Sequence, residues 1–310
     1  MANIRDIAKA ASVSVSTVSR VLNDHPYVSD EKRKAVMEAV ESLNFHKNLN
    51  AVHLSKGKTH VVGVVLPYIH QPFFSLILNG IAREASVTHS HIMLFQTNYE
   101  DDKEREALES LKGKQLDGLI VCSRTLPLSV IKSYSKHGPI VLCEETSDLQ
   151  CVYIDHHSSI LAGIEHLKQS GYRKIGLTLN RKSGTNTSQR VTAYKQACSE
   201  EFVFYNALNI EDGEEIVRCI LENSSRPDAL LVTNDYVAAG ILNECRRNGV
   251  VVPDELALLS YDNQHLAESL EISSVELPLL EMGQEAFKLL SSEKPEKREL
   301  PFSLIHRKTT

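Results

Sequence analysis

Two groups of side chains in this 310-residue chain have the types and spacing to recognise another molecule. The first lies in the run from Ser14 to Arg20. Val18, Val21 and Leu22 fall at i, i+3 and i+4, the inner face of a helix, which leaves Val15, Ser16, Ser19 and Arg20 on the opposite face. A helix that offers its N-terminal residues to the major groove of double-stranded DNA brings Val15 and Ser16 to base edges, Val15 against a thymine methyl, and lets Arg20 fork onto a guanine. The alternative is a surface helix whose small hydroxyl residues are incidental. The second group follows short apolar runs: Phe74 after Val61 to Pro67, Arg124 after Gly118 to Cys122, Asn234 and Asp235 after Ala229 to Thr233, and Asp262 after Leu256 to Ser260. Where such runs are parallel strands, ligands sit beyond their carboxyl ends, and polar groups converging there suit a hydroxyl-rich ligand such as a sugar. Phe74 also has a reading as ordinary core, and Asp235 reads better as a helix N-cap than as a ligand contact.

The elements that must position the first group form a small head. Ile4 to Ala10 reads as a helix with Ile7 and Ala8 inward, Ala11-Ser12-Val13 as a turn, and Ser14 as the N-cap of a second helix from Val15 to Asn23, which together make a helix-turn-helix. Ser29 is placed to cap a third helix, with Asp30 and Glu31 at its positive end and Ala35, Val36, Ala39, Val40 and Leu43 as its apolar stripe. Asn48 to Ser55, with Gly57 beyond, is too short to be a stable helix alone and would order only when two copies pack on DNA; an exposed linker is the other reading.

The second group needs a larger scaffold. From Val61 apolar runs alternate with helical stretches, as in a doubly wound α/β sheet: Val61 to Pro67, His91 to Gln96, Gly118 to Cys122 and Ile140 to Cys143 in a first lobe, and Lys174 to Leu179, Ala229 to Thr233 and Leu256 to Ser260 in a second. A cleft between lobes follows. The helix Glu281 to Leu290 carries Met282, Ala286, Phe287 and Leu290 as a stripe that suits packing on the first lobe.

Charge divides the chain in the same place. Residues 1–60 hold nine of the 34 Lys and Arg and six of the 40 Asp and Glu, a balance of +3; the rest, with 25 against 34, carries −9. A polyanion partner for the head alone fits that asymmetry. Met1 to Ala10 carries Arg5, Asp6 and Lys9, which interrupt the apolar stretch that a secretory signal needs, so the expected location is the cytoplasm, with no membrane association. The six cysteines are dispersed without a Cys-x-x-Cys pair and read as buried and reduced.

These motifs resemble the lactose/galactose repressor (LacI/GalR) family: Ile4-Arg5-Asp6-Ile7-Ala8, Val13-Ser14, Thr17-Val18-Ser19-Arg20-Val21-Leu22-Asn23, and Val28-Ser29 followed by Arg33. The resemblance runs through the whole chain and is similar to the catabolite control protein subgroup. It implies a three-helix DNA-binding head over 1–46, a hinge helix and linker over 47–60, and a two-lobed periplasmic-binding-protein-like body over 61–310. Lobe 1 would span about 61–155 and 279–300, and lobe 2 about 156–278 and 301–310. It adds Ser14 and Thr17 to the DNA-contacting set of Val15, Ser16, Ser19 and Arg20. The hinge pattern appears as Phe45, Asn48, Ala51 and Leu54, which implies that Ala51 and Leu54 meet DNA, Leu54 as an apolar wedge in the minor groove. Lys47 stands where the family usually has proline, and His53 where a polar or basic residue is usual.

In the body the resemblance singles out Arg190, in Arg-Val-Thr-Ala-Tyr, as the residue that grips an effector, with an interlobe salt bridge as the alternative. It places Asn234-Asp235, opening a run that ends at Gly240, and Asp262 toward ligand, and Asp155 at the first crossover between lobes. The connection from Glu200 to Asn209 is shorter than the family's, so the resemblance does not assign the second-lobe aromatic to a residue there. Glu144-Glu145 replaces a less acidic segment, with solvated carboxylates the favoured reading over ligand tuning. Catabolite control members receive a serine-phosphorylated phosphocarrier protein through an arginine where Lys288 stands, which makes such a protein a candidate partner. No leucine heptads follow Ile305-His306-Arg307, so a homodimer on a palindromic operator is expected.

Other function classes are less well served. No Gly-x-Gly-x-x-Gly or Walker loop follows a strand and no Ser, His and Asp set lies at a recognisable elbow, so neither catalysis nor a cofactor is expected. His89/His91 and His156/His157 are pairs without further Cys or His nearby and read as solvated, not metal-ligating. A plain solute-binding protein would explain the body but not the head. The reading is a DNA-binding repressor whose operator affinity is set by a small effector in the interlobe cleft, a sugar or sugar phosphate, with a catabolite-control regulator that answers to a serine-phosphorylated phosphocarrier protein as the alternative.

Overall fold

The first local signal in the chain is a capping box: Asn3 Oδ1 accepts from the Arg5 and Asp6 backbone N–H groups, and the Asp6 carboxylate accepts from Asn3 N–H. It starts α1 (Ile4–Ala10), the opening helix of a computed structural model that describes residues 2–45, 57–292 and 295–310. The chain divides into two units, Met1–Thr59 and His60–Thr310.

In the first unit α1, α2 (Val15–Leu22) and α3 (Asp30–Ser42) close on a core of Ile7, Ala8, Val18, Val21, Val36 and Ala39. Ser12, at φ 51°, turns the chain between α1 and α2. Arg33 ties α3 to the turn after α2, pairing with Asp24 at 2.5 Å and donating to the His25 carbonyl at 3.0 Å. Two details of the sequence reading change. Ser29 occupies the cap of α3 but its hydroxyl makes no capping bond, leaving Asp30 and Glu31 as the charges that favour this helix end. Leu43 is exposed, because the helix ends at Ser42 and Leu43 becomes its C-cap. Lys47, Asn48, Ala51, His53 and Leu54, the hinge residues, lie outside the described residues.

The second unit holds two sheets of six strands. Sheet 1 contains β1 (Val61–Leu66), β2 (His91–Gln96), β3 (Gly118–Val121), β4 (Ile140–Leu142), β5 (Gln150–Tyr153) and β11 (Lys297–Glu299), in the order β11-β5-β4-β3-β1-β2. Sheet 2 repeats the arrangement as β12-β10-β9-β8-β6-β7, from β6 (Ile175–Thr178), β7 (Val203–Phe204), β8 (Ala229–Leu231), β9 (Ala257–Asp262), β10 (Ser273–Glu276) and β12 (Ser303–Ile305). All pairings are parallel except β10 with β12. The expected α/β class and doubly wound architecture are those observed. The strands recognised in the sequence are the long apolar ones; β5, β7, β10, β11 and β12 escape because they are short or carry Gln, Ser, Lys and Glu.

Helices cover both faces of the sheets: α4 (Pro72–Val87), α5 (Asp101–Lys112) and α6 (Leu128–Tyr134) belong to the first lobe. After α7 (His156–Gln169), the second has α8 (Thr185–Ala197), α9 (Ile210–Glu222), α10 (Asp235–Arg247) and α11 (His265–Ser269). The last helix, α12 (Leu279–Leu289), returns to pack on α4. Two crossings depend on paired glycines. A Cβ on Gly80 would lie 2.0 Å from the Leu280 carbonyl and one on Gly283 2.0 Å from that of Ile77, so α4 and α12 touch backbone to backbone. In the second lobe Gly213 and Gly240 do the same for α9 and α10, with Cβ positions 2.2 Å from Val237 O and 2.0 Å from Ile210 O.

The chain passes between lobes at three places, after β5, after β10 and after β11. One continuous cluster of buried side chains runs from Val62, Val64 and Leu66 of the first lobe to Leu177, Leu231 and Leu259 of the second. The carboxyl ends of β1, β3, β6, β8 and β9 therefore open toward the region between the lobes.

Candidate functional site

On the head, Ser14 caps α2 by accepting from the Thr17 backbone N–H at 3.2 Å. Its hydroxyl is also 2.8 Å from Ser16 Oγ and 2.9 Å from Thr17 Oγ1, so the three residues lock the first turn of the helix. Val15 stands 43% exposed at that turn, with nothing in the head core to bury it. Ser16 and Arg20 are exposed, and Thr17 and Ser19 are half-buried. A fixed helix N-terminus with an unburied valine and an arginine one turn on has the form of a groove-reading surface.

In the body, the cleft between lobes holds a cavity of about 70 Å³ and is lined by Phe74, Arg190, Asn234 and Asp262 of the residues expected from sequence, together with Tyr99, Ser123, Arg181 and Thr233 among others. Arg190 projects from α8 and lies over the Tyr261 ring, 4.8 Å from its centroid. Its Nη1 reaches Thr233 Oγ1 at 3.5 Å and its Nη2 reaches His156 Nδ1 at 3.3 Å. Burial, and then the Arg190 guanidinium, push His156 well below the usual imidazole range, so the ring is neutral and its Nδ1 accepts. Tyr261 is in turn held by a 3.1 Å bond from its hydroxyl to Ser159 Oγ. The Nε of Arg190 is buried and has no partner among the described residues.

Asp262 terminates β9 at φ 93°, a left-handed conformation that costs a non-glycine residue energy and turns the strand end toward the cleft. Its carboxyl is buried and accepts a long 3.4 Å bond from Gln264. Burial, and next the Asp235 carboxyl, raise Asp262 well above the ordinary carboxylate range against the pull of Arg190. Asn234 caps α10 through Val237 N–H at 2.9 Å while lining the cleft. The site thus combines a guanidinium with an unspent donor, a carboxyl that favours its neutral form, and amides and hydroxyls, a set suited to hydrogen-bonding polyols.

Other expected residues occupy the surroundings. Arg124 does not line the cleft; it forms a buried ion pair with Glu144 and donates to the Leu126 carbonyl and to Thr185 Oγ1, both at 2.9 Å. Glu144 is therefore buried, not solvated: the arginine that follows β3 needs a counter-charge once the loop packs. Glu104 fixes that loop, accepting from Thr125 N and Leu126 N at 2.8 and 3.2 Å. Asp155 caps α7 through Ser158 N–H at 3.0 Å, at the first crossover and away from the cleft lining. Asp235 is not the N-cap; Asn234 is. Asp235 turns inward and accepts from Ser260 Oγ at 2.6 Å, Gln264 N at 2.7 Å and Ser274 Oγ at 3.2 Å. His156 is buried, where the sequence reading had it solvated. Among the cysteines, Cys219 is exposed and Cys198 half-buried, the other four being buried.

Arg181 and Tyr99 are the main residues that sequence reasoning missed. The Arg181 guanidinium sits 4.3 Å from the Tyr99 ring centroid and donates across the lobes to Arg124 O at 3.3 Å and Ser123 Oγ at 3.4 Å. With Arg124 on Thr185 and Gln189 on Glu145 at 3.3 Å, it ties one rim of the cleft shut. Both follow recognised strands, Tyr99 after β2 and Arg181 after β6, so the strand-end rule applied to every run would have found them.

Residues 59–308 match the family described as periplasmic binding proteins and sugar binding domain of the LacI family, and residues 3–48 match bacterial regulatory proteins of the lacI family. The chain belongs to the LacI family. This LacI-family regulator is 42% identical to the HTH-type transcriptional regulator YkvZ of Bacillus subtilis (strain 168), over 100% of both chains. It is 36% identical to catabolite control protein B of the same organism, over 95% of this chain and 96% of that one. Its fold also matches the lac repressor dimer bound to operator and the anti-inducer ONPF, with TM-score 0.84 at 21% identity over 99% of this chain and 98% of that one. The LacI-family head places Ser14 to Arg20 on its helix-turn-helix, and the LacI-family body is a sugar-binding-type domain with Arg190 and Asp262 in its cleft. Among the described residues no helix is long and apolar enough to cross a membrane.

Proposed function

We propose that this transcription regulator is a cytoplasmic, homodimeric repressor that reads a palindromic operator with α2 and releases or tightens it when a sugar or sugar-like polyol enters the interlobe cleft. The observation that carries the effector half is the buried, unpartnered Nε of Arg190 beside the strained, poorly satisfied carboxyl of Asp262. A buried donor left unmade costs about 1–3 kcal/mol, which a shift of the lobes that brings an acceptor to it on effector binding would recover. Effector binding shifts the operator affinity only to the extent that it favours one lobe arrangement over another.

Val15, Ser16, Ser19 and Arg20 would face the groove for base contact, with Ser14 and Thr17 fixing the first turn of the helix beside them; Ala51 and Leu54 would complete the contact from the hinge. The alternative corepressor, a serine-phosphorylated phosphocarrier protein, gains nothing from Lys288, whose ammonium is already engaged by Glu285 at 2.8 Å and Glu84 at 3.9 Å.

The test is a mobility-shift selection from random palindromic duplexes at fixed salt, with Val15→Ala and Leu54→Ala beside the parent. Enrichment of one palindrome that both variants lose supports operator reading. Binding without sequence preference, unchanged by either substitution, overturns it. Calorimetry with Arg190→Ala then separates a sugar effector from none.

A further inference from the structure

Two cysteines follow directly on neighbouring strands. β3 and β4 pair in register, Val121 opposite Leu142, and the ladder runs one step further, Cys143 N–H donating to the Val121 carbonyl at 2.9 Å. Cys122 and Cys143 therefore stand side by side. Both join Ile120 and Val141 in the cluster on one face of the sheet, while Leu119, Val121, Ile140 and Leu142 belong to the other face. Cys151, on β5, falls with that other face, so Cys143 shares its face with Cys122 and not with Cys151. The Cys122 thiol against it, and next burial, push Cys143 well above the ordinary thiol range.

Neighbouring strands lie about 4.7–4.9 Å apart, inside the Cα separation of about 4.4–6.8 Å that a disulfide spans. Cβ atoms on one face of parallel strands keep roughly the strand spacing, whereas a disulfide holds them about 3.5–4.5 Å apart. A bridge here would draw the two strand ends together, and the strain favours its reduction. Access is one-sided: Cys122 lines the cleft cavity and Cys143 lies behind it. A cavity of about 70 Å³ admits a molecule little larger than water, such as hydrogen peroxide. The residues after each thiol form the interlobe rim. Ser123 and Arg124 follow Cys122 and accept from Arg181, and Arg124 donates to Thr185. Glu144, the partner of Arg124, and Glu145, which accepts from Gln189, follow Cys143. A shift of either strand end therefore reaches contacts made with the second lobe.

We propose that Cys122 and Cys143 are a thiol pair oxidised by hydrogen peroxide, and that their disulfide loosens the interlobe rim. The Cys122 sulfur attacks one oxygen of peroxide: the S–O bond forms, the O–O bond breaks, and the other oxygen leaves as water with the thiol proton. A sulfenic acid results. The Cys143 sulfur then displaces its oxygen: the S–S bond forms, the S–O bond breaks, and a second water carries off that oxygen with the Cys143 proton. The two thiols lose two hydrogens and two electrons, and one peroxide becomes two waters. A dithiol reductant reverses the bridge by exchange. In the repressor reading, on which this last consequence alone rests, the altered lobe arrangement changes operator affinity.

The test treats the full-length protein with hydrogen peroxide, alkylates the remaining thiols in denaturant and maps unreduced peptides by mass spectrometry. The expected product is a pair of peptides linked through Cys122 and Cys143, two hydrogens lighter than its parts and separated by dithiothreitol. Cys143→Ala should stop at the sulfenic acid, captured on Cys122 by dimedone. Circular dichroism checks that this variant is folded, and the map of the unmutated protein stands without it. Small-angle scattering of the oxidised protein should give a larger radius of gyration that dithiothreitol restores. Its affinity for a selected palindrome should differ from that of the reduced protein by roughly tenfold. Cys219, exposed on α9, reports that the oxidant has acted. Oxidised Cys219 with Cys122 and Cys143 both alkylated overturns the pair. A linked pair with unchanged scattering and unchanged operator affinity overturns its coupling to the rim. If no palindrome is enriched, the repressor reading fails, while the peptide map and the scattering still decide the thiol pair.

Discussion

Arg190 Nη2 meets His156 Nδ1 at 3.3 Å, and this contact makes the effector arginine depend on an imidazole that stays neutral. The consequence is measurable as acid sensitivity. Burial and Arg190 hold His156 well below its ordinary 6.5, so the unfolded chain takes up a proton that the folded one refuses. Stability from this group is whole above about pH 6.5 and falls as the pH drops below it. His156→Asn keeps an acceptor near Arg190 but cannot titrate, so its midpoint should fall less than the parent's between pH 7.5 and 5.5. Parallel pH curves for the two proteins would show that His156 is not the acid-sensitive group.

Arg124 and Glu144 form a buried pair with side chains 18% and 8% exposed. Removing the arginine strands a buried carboxylate, a change that costs about 3–5 kcal/mol, whereas replacing the carboxylate by an amide keeps a hydrogen-bond acceptor. Arg124→Leu should therefore destabilise far more than Glu144→Gln in urea unfolding. It should also loosen the rim, since Arg124 donates to Thr185 on the other lobe; small-angle scattering of the folded variant should give a larger radius of gyration. Equal destabilisation by the two substitutions would mean that the pair is a surface-like bridge.

How much of this was legible beforehand depends on what each residue answers to. The helices of the head and the long strands were readable because their apolar periodicity is local: Val18, Val21 and Val36 are buried where the pattern puts them. Arg190 was reachable only through family resemblance, since nothing in Arg-Val-Thr-Ala-Tyr says that its helix faces a cleft. Glu144 and His156 were misjudged for one reason, that the partner burying each lies far along the chain, Arg124 at 20 residues and Arg190 at 34.

The helix crossings offer a test of packing that is independent of the ligand. Ala at Gly80 or Gly283 would put a methyl 2.0 Å from a backbone carbonyl, and no side-chain rotation relieves such a clash. The helices must part, an overpacking cost of about 3 kcal/mol or more for each substitution. Gly113→Ala, whose methyl would meet Glu109 O at 3.2 Å, serves as the mild comparison. Urea midpoints that fall equally for Gly80→Ala and Gly113→Ala would contradict the backbone-to-backbone crossing of α4 and α12.

Asp235 carries the opposite pH dependence to His156. Burial raises it from 3.8 to about 6, although it accepts three hydrogen bonds from Ser260, Gln264 and Ser274. The folded state thus holds a proton that the unfolded chain has released between about pH 4 and 6, so this group's contribution to stability is present below pH 4 and is lost as the pH rises through 6. The full span is about 3 kcal/mol. Asp235→Asn, which stays neutral and still offers an acceptor to Gln264 N–H, should lose the part of the pH dependence that runs downward between pH 4 and 6. Asp235→Ala leaves that half-buried N–H without its partner and should be less stable than Asp235→Asn at every pH. If Asp235→Asn instead destabilises most at pH 7 and least at pH 4, the carboxylate form is the one the fold prefers, and Asp235 is an anionic anchor for the strand end that carries Asp262.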